Sequence, residues 1–384
     1  MKKTITGLLY KDSSPVTIII KNGIIESIEK AETIDETDLF VAPGFIDIQV
    51  NGYINKSFNS PGLTVNEVNE ATRALWKTGV TTYFPTLITN PQKTLVDNFK
   101  TLALASKEPE TGLSIPGFHL EGPYISPVDG YRGAHSLEDV RSPKWDEFLE
   151  LQKAADNKII LVTIAPEVNG AEDFVKQCVR ENIVVSLGHH NGSAEQIKKA
   201  TDIGAKLSTH LGNGCANLIN RFKNPLWQQL SDERLIASLI VDGFHLPREV
   251  VYVFYKAKGY KNIILVSDMT ELAGMPPGKY KWLGKDVLLT PEGLLTFPEQ
   301  NVFAGASLPL STGIGNMINF TGCPLGEAID MASKNPALLH GLTDRGEITT
   351  GKRADLVLFR FNENKIKIEK TILAGKTVFQ NINN

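Results

Sequence analysis

The stretch Ile115-Pro116-Gly117-Phe118-His119-Leu120-Glu121-Gly122-Pro123 combines an apolar run, a carboxylate and a Gly-Pro stop. This pattern predicts a buried strand that ends in a turn, with Glu121 at its carboxyl end. A buried carboxylate without a partner costs several kcal/mol, so Glu121 either reaches water or meets a partner. The segment alone leaves both interpretations open, and the other strand ends of the chain are needed to choose between them.

From Ala42 onward, short apolar runs alternate with helical segments, which is the rhythm of a parallel sheet or barrel. Eight strands are predicted in this region, at Gly44–Val50, Thr81–Leu87, Ser114–Glu121, Ile159–Ala165, Ile183–Gly188, Lys206–His210, Leu235–Val241 and Ile263–Asp268. Eight such units in about 300 residues are typical of an α/β (β/α)₈ TIM barrel. A doubly wound open sheet is the alternative, but no Gly-x-Gly-x-x-Gly motif follows the first strand.

Both ends of the chain carry strand patterns instead. The Asn22-Gly23 pair lies between the apolar runs Thr17–Ile20 and Ile24–Ile28, which is a strong hairpin signal. We expect residues 1–43 and 346–384 to form one small β-sandwich domain beside a barrel at residues 44–345. Turns rich in Pro and Gly surround Tyr280–Leu289 and predict a β-hairpin insertion near residues 276–302.

The composition excludes some classes of function. The 384 residues include 40 Lys+Arg and 43 Asp+Glu, for a formal net charge of −3. The sequence therefore lacks the excess of basic residues that favours binding to nucleic acid or an anionic membrane. The three cysteines are scattered and fit no zinc or disulfide pattern, which favours a reducing compartment. The amino-terminal stretch has a basic start but no apolar signal segment. We therefore expect a cytoplasmic protein without a membrane span.

Polar residues fall at the carboxyl ends of the predicted strands, where barrels build their active sites. Glu121 ends the third strand, and the other members of this set are His189 after the fifth, His210 at the sixth, Asp242 and His245 after the seventh, and Asp268 at the eighth. Two histidines and a carboxylate suit one divalent ion, with Zn²⁺ expected, and three ligands leave one position open for hydrolysis.

Each residue of this set has a simpler interpretation on its own. A histidine at a strand end is often structural, and Asp268 could cap a helix. Such residues at five strand ends are much harder to explain in this way. Asp268 is then the candidate base that takes a proton from water, and His245 could polarise or hold a substrate carbonyl.

Other histidines lie outside this set of strand-end residues. His119 lies two residues before Glu121 and faces the same side one layer lower, so we expect it to pack or to support the ligands. His340 is expected to be structural. His135, in a loop with glycine and proline, either reaches over the pocket or stays in the loop.

With these residues placed, the chain resembles the amidohydrolase superfamily, and within it the N-acetylglucosamine-6-phosphate deacetylases. The similarity covers nearly the whole chain and includes Pro43-Gly44-Phe45-Ile46-Asp47, His119-Leu120-Glu121-Gly122-Pro123-Tyr124, Gly188-His189, Thr209-His210-Leu211-x-Asn213, Asp242-Gly243-x-His245, Ser267-Asp268 and Gly351-Lys352-Arg353-Ala354-Asp355-Leu356. The first and last motifs are shared across the superfamily, whereas His-Leu-Glu-Gly-Pro and Thr-His-Leu-x-Asn are specific to the deacetylases.

The resemblance implies hydrolysis of the acetamide of N-acetylglucosamine 6-phosphate to glucosamine 6-phosphate and acetate. It implies metal ligation by Glu121, His189 and His210, acid/base catalysis by Asp268, and a homo-oligomer, either dimeric or tetrameric. The substrate-binding residues it implies are Ala134, His135, Asn213, Gly214, Arg221, Asp242, His245, Phe303, Ala304 and Gly305. A guanidinium such as that of Arg221 binds phosphate in a bidentate geometry.

Some positions depart from the family pattern. Many amidohydrolases carry His-x-His at the end of the first strand for a second metal, but this chain has Gln49-Val50-Asn51. Amides are poor zinc ligands beside imidazoles, so one metal is expected. The segments Tyr53–Lys56 and Pro127–Arg132 also differ, which leaves another N-acyl amino sugar, or an unphosphorylated one, as the alternative substrate. A sugar-phosphate-binding protein without catalysis would have lost the base or a ligand, and all are present.

Overall fold

The computed structural model describes residues 2–32, 38–282, 284–298, 302–303 and 305–381. Its strands, in chain order, are β1 (Lys2–Leu9), β2 (Pro15–Lys21), β3 (Ile24–Lys30), β4 (Leu39–Pro43), β5 (Phe45–Val50), β6 (Gly52–Tyr53), β7 (Lys56–Ser57), β8 (Val80–Ile88), β9 (Phe118–Glu121), β10 (Ile159–Ile164), β11 (Val184–Leu187), β12 (Leu207–Ser208), β13 (Ile236–Leu239), β14 (Ile263–Leu265), β15 (Gly278–Trp282), β16 (Lys285–Leu289), β17 (Leu295–Phe297), β18 (Val302–Phe303), β19 (Leu356–Asn362), β20 (Lys365–Leu373) and β21 (Lys376–Gln380).

The α-helices are α1 (Val65–Leu75), α2 (Gln92–Ala105), α3 (Trp145–Ala154), α4 (Ala171–Arg180), α5 (Ala194–Ile203), α6 (Pro225–Ser231), α7 (Arg248–Lys258), α8 (Leu310–Thr321), α9 (Leu325–Met331) and α10 (Lys334–Leu339). Short 3₁₀ turns lie at Trp76–Thr78, Thr111–Ser114 and Tyr260–Asn262. Within the described residues, no helix combines the length and apolar character needed to cross a membrane.

Eight parallel strands form the barrel. They pair in the order β5-β8-β9-β10-β11-β12-β13-β14, which is also their order in the chain. Backbone hydrogen bonds from Asp268 N to Gln49 O (3.1 Å) and from Asn51 N to Met269 O (2.8 Å) join the last strand end to the first and close the ring. The predicted (β/α)₈ barrel is therefore confirmed.

Several strands are shorter than the sequence pattern predicted. A 3₁₀ turn occupies Thr111–Ser114, so β9 begins only at Phe118. At the other end, β12 and β14 stop before His210 and Asp268, whose backbones take positive φ values of +30° and +52°. A left-handed residue turns the chain out of the strand direction, which aims these side chains at the barrel mouth.

Local capping signals set the helix starts. Thr64 and Glu67 form the capping box of α1, and Ser193 and Gln196 form that of α5. Pro247 precedes α7, and Gly259 follows its last residue. In each capping box, the side chains satisfy backbone N–H groups that the first helical turn leaves without partners.

The two chain ends meet in one seven-stranded sheet, in the order β21-β20-β19-β4-β1-β2-β3. Strand β4 joins the halves, because it pairs parallel with β1 and antiparallel with β19. A common core of side chains from both halves includes Ile5, Ile18, Leu356 and Ile372. The small β domain predicted from both termini is thus present.

The segment between Gly278 and Phe303 forms a four-stranded antiparallel sheet, β15-β16-β17-β18, which is larger than the hairpin that the turns indicated. Its own core includes Trp282, Val287 and Phe297. The Phe303 ring at its end packs against His245, with ring centroids 4.9 Å apart. This insertion therefore reaches the carboxyl end of the barrel.

Two glycines of α8 should respond in opposite ways to alanine. A Cβ on Gly313 would meet only Val241 O, at 3.9 Å, whereas one on Gly315 would lie 2.2 Å from Asn364 O in the β19–β20 turn. We expect Gly313→Ala to raise the free energy of unfolding by about 0.5–1 kcal/mol through helix propensity. Gly315→Ala should lower it by about 1–3 kcal/mol through overpacking. Thermal and urea unfolding of both variants measures the difference, and a stable Gly315→Ala protein would contradict the close packing of α8 on this turn.

Candidate metal centre and active site

Three buried ligand atoms converge at the carboxyl ends of β9, β11 and β12. His210 Nε2 lies 3.0 Å from Glu121 Oε1 and 3.1 Å from His189 Nε2, and His189 Nε2 lies 3.4 Å from the same carboxylate oxygen. The three side chains are almost entirely shielded from solvent. Among the described residues they form a group that could hold a metal ion.

The hydrogen bonds of His189 prepare it for this role. Its Nδ1 lies 3.0 Å from the backbone carbonyl oxygen of Tyr131. A carbonyl oxygen only accepts, so Nδ1 carries the hydrogen and the Nε2 of the neutral ring carries a lone pair. Fixing a ligand histidine in this way is a common feature of metal sites.

The donor set fits a divalent ion. Ligand atoms about 2.0–2.2 Å from a tetrahedral ion lie about 3.3 Å from one another, close to the separations found among these three residues. The imidazoles hold the pKa of Glu121 well below its usual value, although burial opposes the charge. An ionised carboxylate and the Nε2 atoms of two imidazoles therefore point at one place.

Three strand-end residues of this site have strained backbones. Positive φ angles occur at His189 (+50°), His210 (+30°) and Asp268 (+52°). Left-handed conformations outside glycine cost about 1–3 kcal/mol each, and they persist where surrounding structure enforces them. These three strained residues all lie at the mouth of the barrel, which is consistent with a functional site there.

Two amides at the end of β5 tie the site together. Gln49 Nε2 donates to Glu121 Oε1 (2.9 Å), and Asn51 Nδ2 donates to Asp268 Oδ1 (2.7 Å). The sequence predicts for these positions only that they lack the histidines of a second metal site. The available signal for this supporting role was a pair of amide side chains at the carboxyl end of the first barrel strand.

Asp268 lies partly buried beside the cluster. Burial, followed by the negative charge of Glu121, raises the pKa of its carboxyl to about 7. A group with a pKa near neutrality is well suited to exchange protons in both directions. The Asn51 amide occupies one of its oxygens, which leaves the other for a proton transfer.

His245 is held by its neighbour Asp242. Asp242 Oδ2 lies 2.7 Å from His245 Nδ1, and Asp242 Oδ1 accepts from the backbone N–H groups of Phe244 and His245. Burial opposes the charge of Asp242, but the hydrogen bonds and charge of His245 keep its pKa below the usual value. With Nδ1 engaged, the ring can present only Nε2 to a bound molecule.

His119 lies beneath the cluster. It is buried, and its Nε2 lies 2.8 Å from Thr163 Oγ1. Thr163 in turn contacts Thr209 Oγ1 at 2.8 Å, next to His210. This polar chain inside the barrel supports the strand ends and does not open onto the mouth.

The predicted substrate residues are placed unevenly. His135 is buried, with its ring centroid 4.4 Å from that of His189, and Gly214 approaches the same ring. Asn213 Nδ2 is buried and has no hydrogen-bond acceptor among the residues that the structure describes. Such a donor is available to a ligand oxygen.

Other predicted residues lie further out. Ala134 is exposed, and Gly305 has a positive φ of +85° beside Thr270. Arg221 is exposed, with its guanidinium carbon 5.8 Å from the centroid of the Phe222 ring. Ala304 lies outside the described residues.

Comparison with known proteins agrees with this geometry. The model of the amidohydrolase family matches residues 40–378. An N-acetylglucosamine-6-phosphate deacetylase of Haemophilus influenzae is 32% identical over 94% of this chain and 93% of its own, and an N-acetylgalactosamine-6-phosphate deacetylase of Escherichia coli O157:H7 is 31% identical over 88% and 89%.

A solved structure gives the same result. The N-acetyl-D-glucosamine-6-phosphate deacetylase mutant of Mycobacterium smegmatis, in complex with N-acetyl-D-glucosamine-6-phosphate, superposes with a TM-score of 0.88 at 25% identity, covering 99% of this chain and 100% of that one. Both the sequence matches and the structural match extend over nearly the full length. This chain therefore belongs to the amidohydrolase family and is similar throughout to that family's N-acetylated amino-sugar 6-phosphate deacetylases.

Proposed function

We propose that this protein hydrolyses the acetamide of N-acetylglucosamine 6-phosphate to glucosamine 6-phosphate and acetate. One observation carries the proposal: the Glu121, His189 and His210 ligand atoms converge beside Asp268, a partly buried carboxyl whose pKa is raised to about 7. An amide hydrolase needs an electrophile and a proton-transfer group within reach of one bond, and this site offers both. The similar deacetylases support the choice of substrate.

We propose that the ligands hold one Zn²⁺ ion. A set of two imidazoles and one carboxylate suits zinc better than the hard ions Mg²⁺ and Ca²⁺, which prefer oxygen alone. Gln49 and Asn51 occupy the positions where a second ion would need imidazoles, and both amides already donate to carboxylates. The site is therefore assigned one ion.

The chain's own residues supply the proton transfers. Glu121, His189 and His210 would hold a divalent ion, which when bound would polarise the acetamide carbonyl and lower the pKa of water to about 7. Asp268 takes the proton from the attacking water and returns it to the amine, because an amide nitrogen leaves poorly without one. His245, held through Nδ1 by Asp242, donates from Nε2 to the carbonyl oxygen when its ring is protonated.

Residues around the mouth are assigned to the sugar phosphate. His135, Asn213 and Gly214 surround the metal-ligand side of the opening, and Phe303 closes the His245 side. The buried Asn213 amide is a ready donor to a phosphate oxygen. Arg221, whose guanidinium is exposed, adds the positive charge that a phosphate needs.

N-acetylgalactosamine 6-phosphate is the second candidate substrate. The specific reason is the 31% identity to a deacetylase with that name in Escherichia coli O157:H7. The two sugars differ only in the configuration of one hydroxyl group. The metal cluster and Asp268 would serve both, so the discrimination must come from the side chains around the sugar ring.

We also propose a homo-oligomer and a cytoplasmic location. Leu218, Phe222 and Trp227 expose large apolar side chains close together in the sequence, and Leu218 is 92% exposed. Clustered apolar exposure is typical of protein interfaces. The cysteines Cys178, Cys215 and Cys323 are all unpaired, which is usual in a reducing compartment.

Acetate release tests the substrate directly. Zinc-loaded protein should release acetate rapidly from N-acetylglucosamine 6-phosphate and slowly from unphosphorylated N-acetylglucosamine, because the phosphate contributes binding energy. N-acetylgalactosamine 6-phosphate is assayed in parallel. Preference for this epimer would select the second candidate. No release from any of the three by metal-loaded protein would contradict the assignment to amino-sugar phosphates.

Asp268→Asn tests the proton transfer. An amide cannot accept the proton, so we expect kcat to fall by at least about 100-fold, within the range found for general acid–base groups. Zinc content should stay unchanged, since the three ligands remain. Asp286→Asn, in the insertion, is the matched control because its side chain is 69% exposed. Near-normal turnover by Asp268→Asn would show that another group is the base.

A further inference from the structure

The imidazole of His189 lies between the backbones of two glycines. A Cβ built on Gly133 would lie 2.9 Å from His189 Cε1, and one built on Gly214 would lie 2.8 Å from His189 Nδ1. Real Cβ atoms essentially never approach other atoms so closely. Both positions therefore need glycine for a steric reason as well as for their positive φ angles of +61° and +60°.

The ring cannot move aside to make room. Its Nδ1 donates to the Tyr131 carbonyl, and its Nε2 is one of the three converging ligand atoms. The His135 ring packs edge-on against it, with centroids 4.4 Å apart. Any displacement of the ring would break the Tyr131 hydrogen bond or move Nε2 away from Glu121 and His210.

The two glycines belong to segments that also contact each other. A Cβ on Gly130 would lie 2.9 Å from Ala216 Cβ, so the start of segment 130–135 lies against the end of segment 213–216. These segments include Ala134, His135, Asn213 and Gly214, the residues assigned above to the substrate. We call the two segments together the His189 clasp.

We propose that Gly133 and Gly214 are positioning residues for the metal ligand His189, and that the His189 clasp makes metal affinity and substrate binding interdependent. The first part needs only the geometry of the ring, and the second part rests on the proposed function. A bound metal fixes the ring, and the fixed ring supports both segments. Bound metal should therefore raise the affinity for a ligand that orders the two segments. By thermodynamic linkage, that ligand must raise the affinity for the metal by the same factor.

The first test measures zinc affinity in the full-length protein by competition with a fluorescent chelator. Gly133→Ala and Gly214→Ala should each raise the Kd for zinc by about tenfold to a hundredfold, as changes behind a metal ligand typically do. Gly62→Ala is the matched control. Its φ is also positive, at +81°, but its Cβ would meet no atom within 4 Å, so its zinc Kd should not change.

The control separates positioning from general strain. Circular dichroism and thermal unfolding of the metal-free proteins first establish that each variant folds. Gly133 is exposed in its loop, so its variant is expected to fold even if Gly214→Ala does not. A wild-type zinc Kd in folded Gly133→Ala, or an equal loss in Gly62→Ala, would overturn the positioning role.

The second test measures the linkage. Glucosamine 6-phosphate, the expected product, is titrated into wild-type protein and Gly133→Ala with and without zinc by isothermal calorimetry. Zinc should tighten binding in wild-type protein and do so less in the variant. Equal tightening in both would overturn the linkage. If the sugar phosphate bound neither form, the proposed function would fail while the zinc affinities still decided the role of the glycines.

Discussion

The candidate site depends on the mutual approach of three ligand atoms, one from a carboxylate and two from imidazoles. Glu121, His189 and His210 come from the ends of β9, β11 and β12, and their ligand atoms lie 3.0–3.4 Å apart away from water. A buried carboxylate and two strained histidine backbones are costly on their own. A bound divalent ion would offset these free-energy costs, and the barrel holds the three ligand side chains rigidly in place.

The first barrel strand connects this cluster to the rest of the site. Strand β5 closes the ring through the hydrogen bond from Asp268 N to Gln49 O, so the backbone of Asp268 is tied directly to the first strand. From the same strand end, Gln49 donates to Glu121 and Asn51 donates to Asp268. The distance between the ligand cluster and the proton-transfer group is therefore set by barrel closure.

Much of this could be predicted from the sequence because the signals are local. The buried run that ends in Glu121 indicated the end of β9, and the Asn22-Gly23 pair indicated the turn between β2 and β3. The ends of β12 and β14 could not be predicted, because they depend on left-handed turns at His210 and Asp268 rather than on hydrophobic pattern.

Contacts between loops also could not be predicted from the sequence. The approach of Gly133 and Gly214 to His189 has no periodicity and no fixed spacing in the chain. The same is true of the carbonyl of Tyr131, since a backbone acceptor carries no residue signature. The exposed position of Arg221 depends on how its loop leaves the barrel, which a motif does not specify.

Zinc stoichiometry by mass spectrometric metal analysis tests the central claim most directly. Protein stripped with a chelator, reloaded with zinc and desalted should hold one ion per chain, and His210→Ala, which removes one of the three ligands, should hold essentially none. Two ions per chain in the wild-type protein, or one ion retained by the variant, would contradict the assignment of this cluster as a single metal centre.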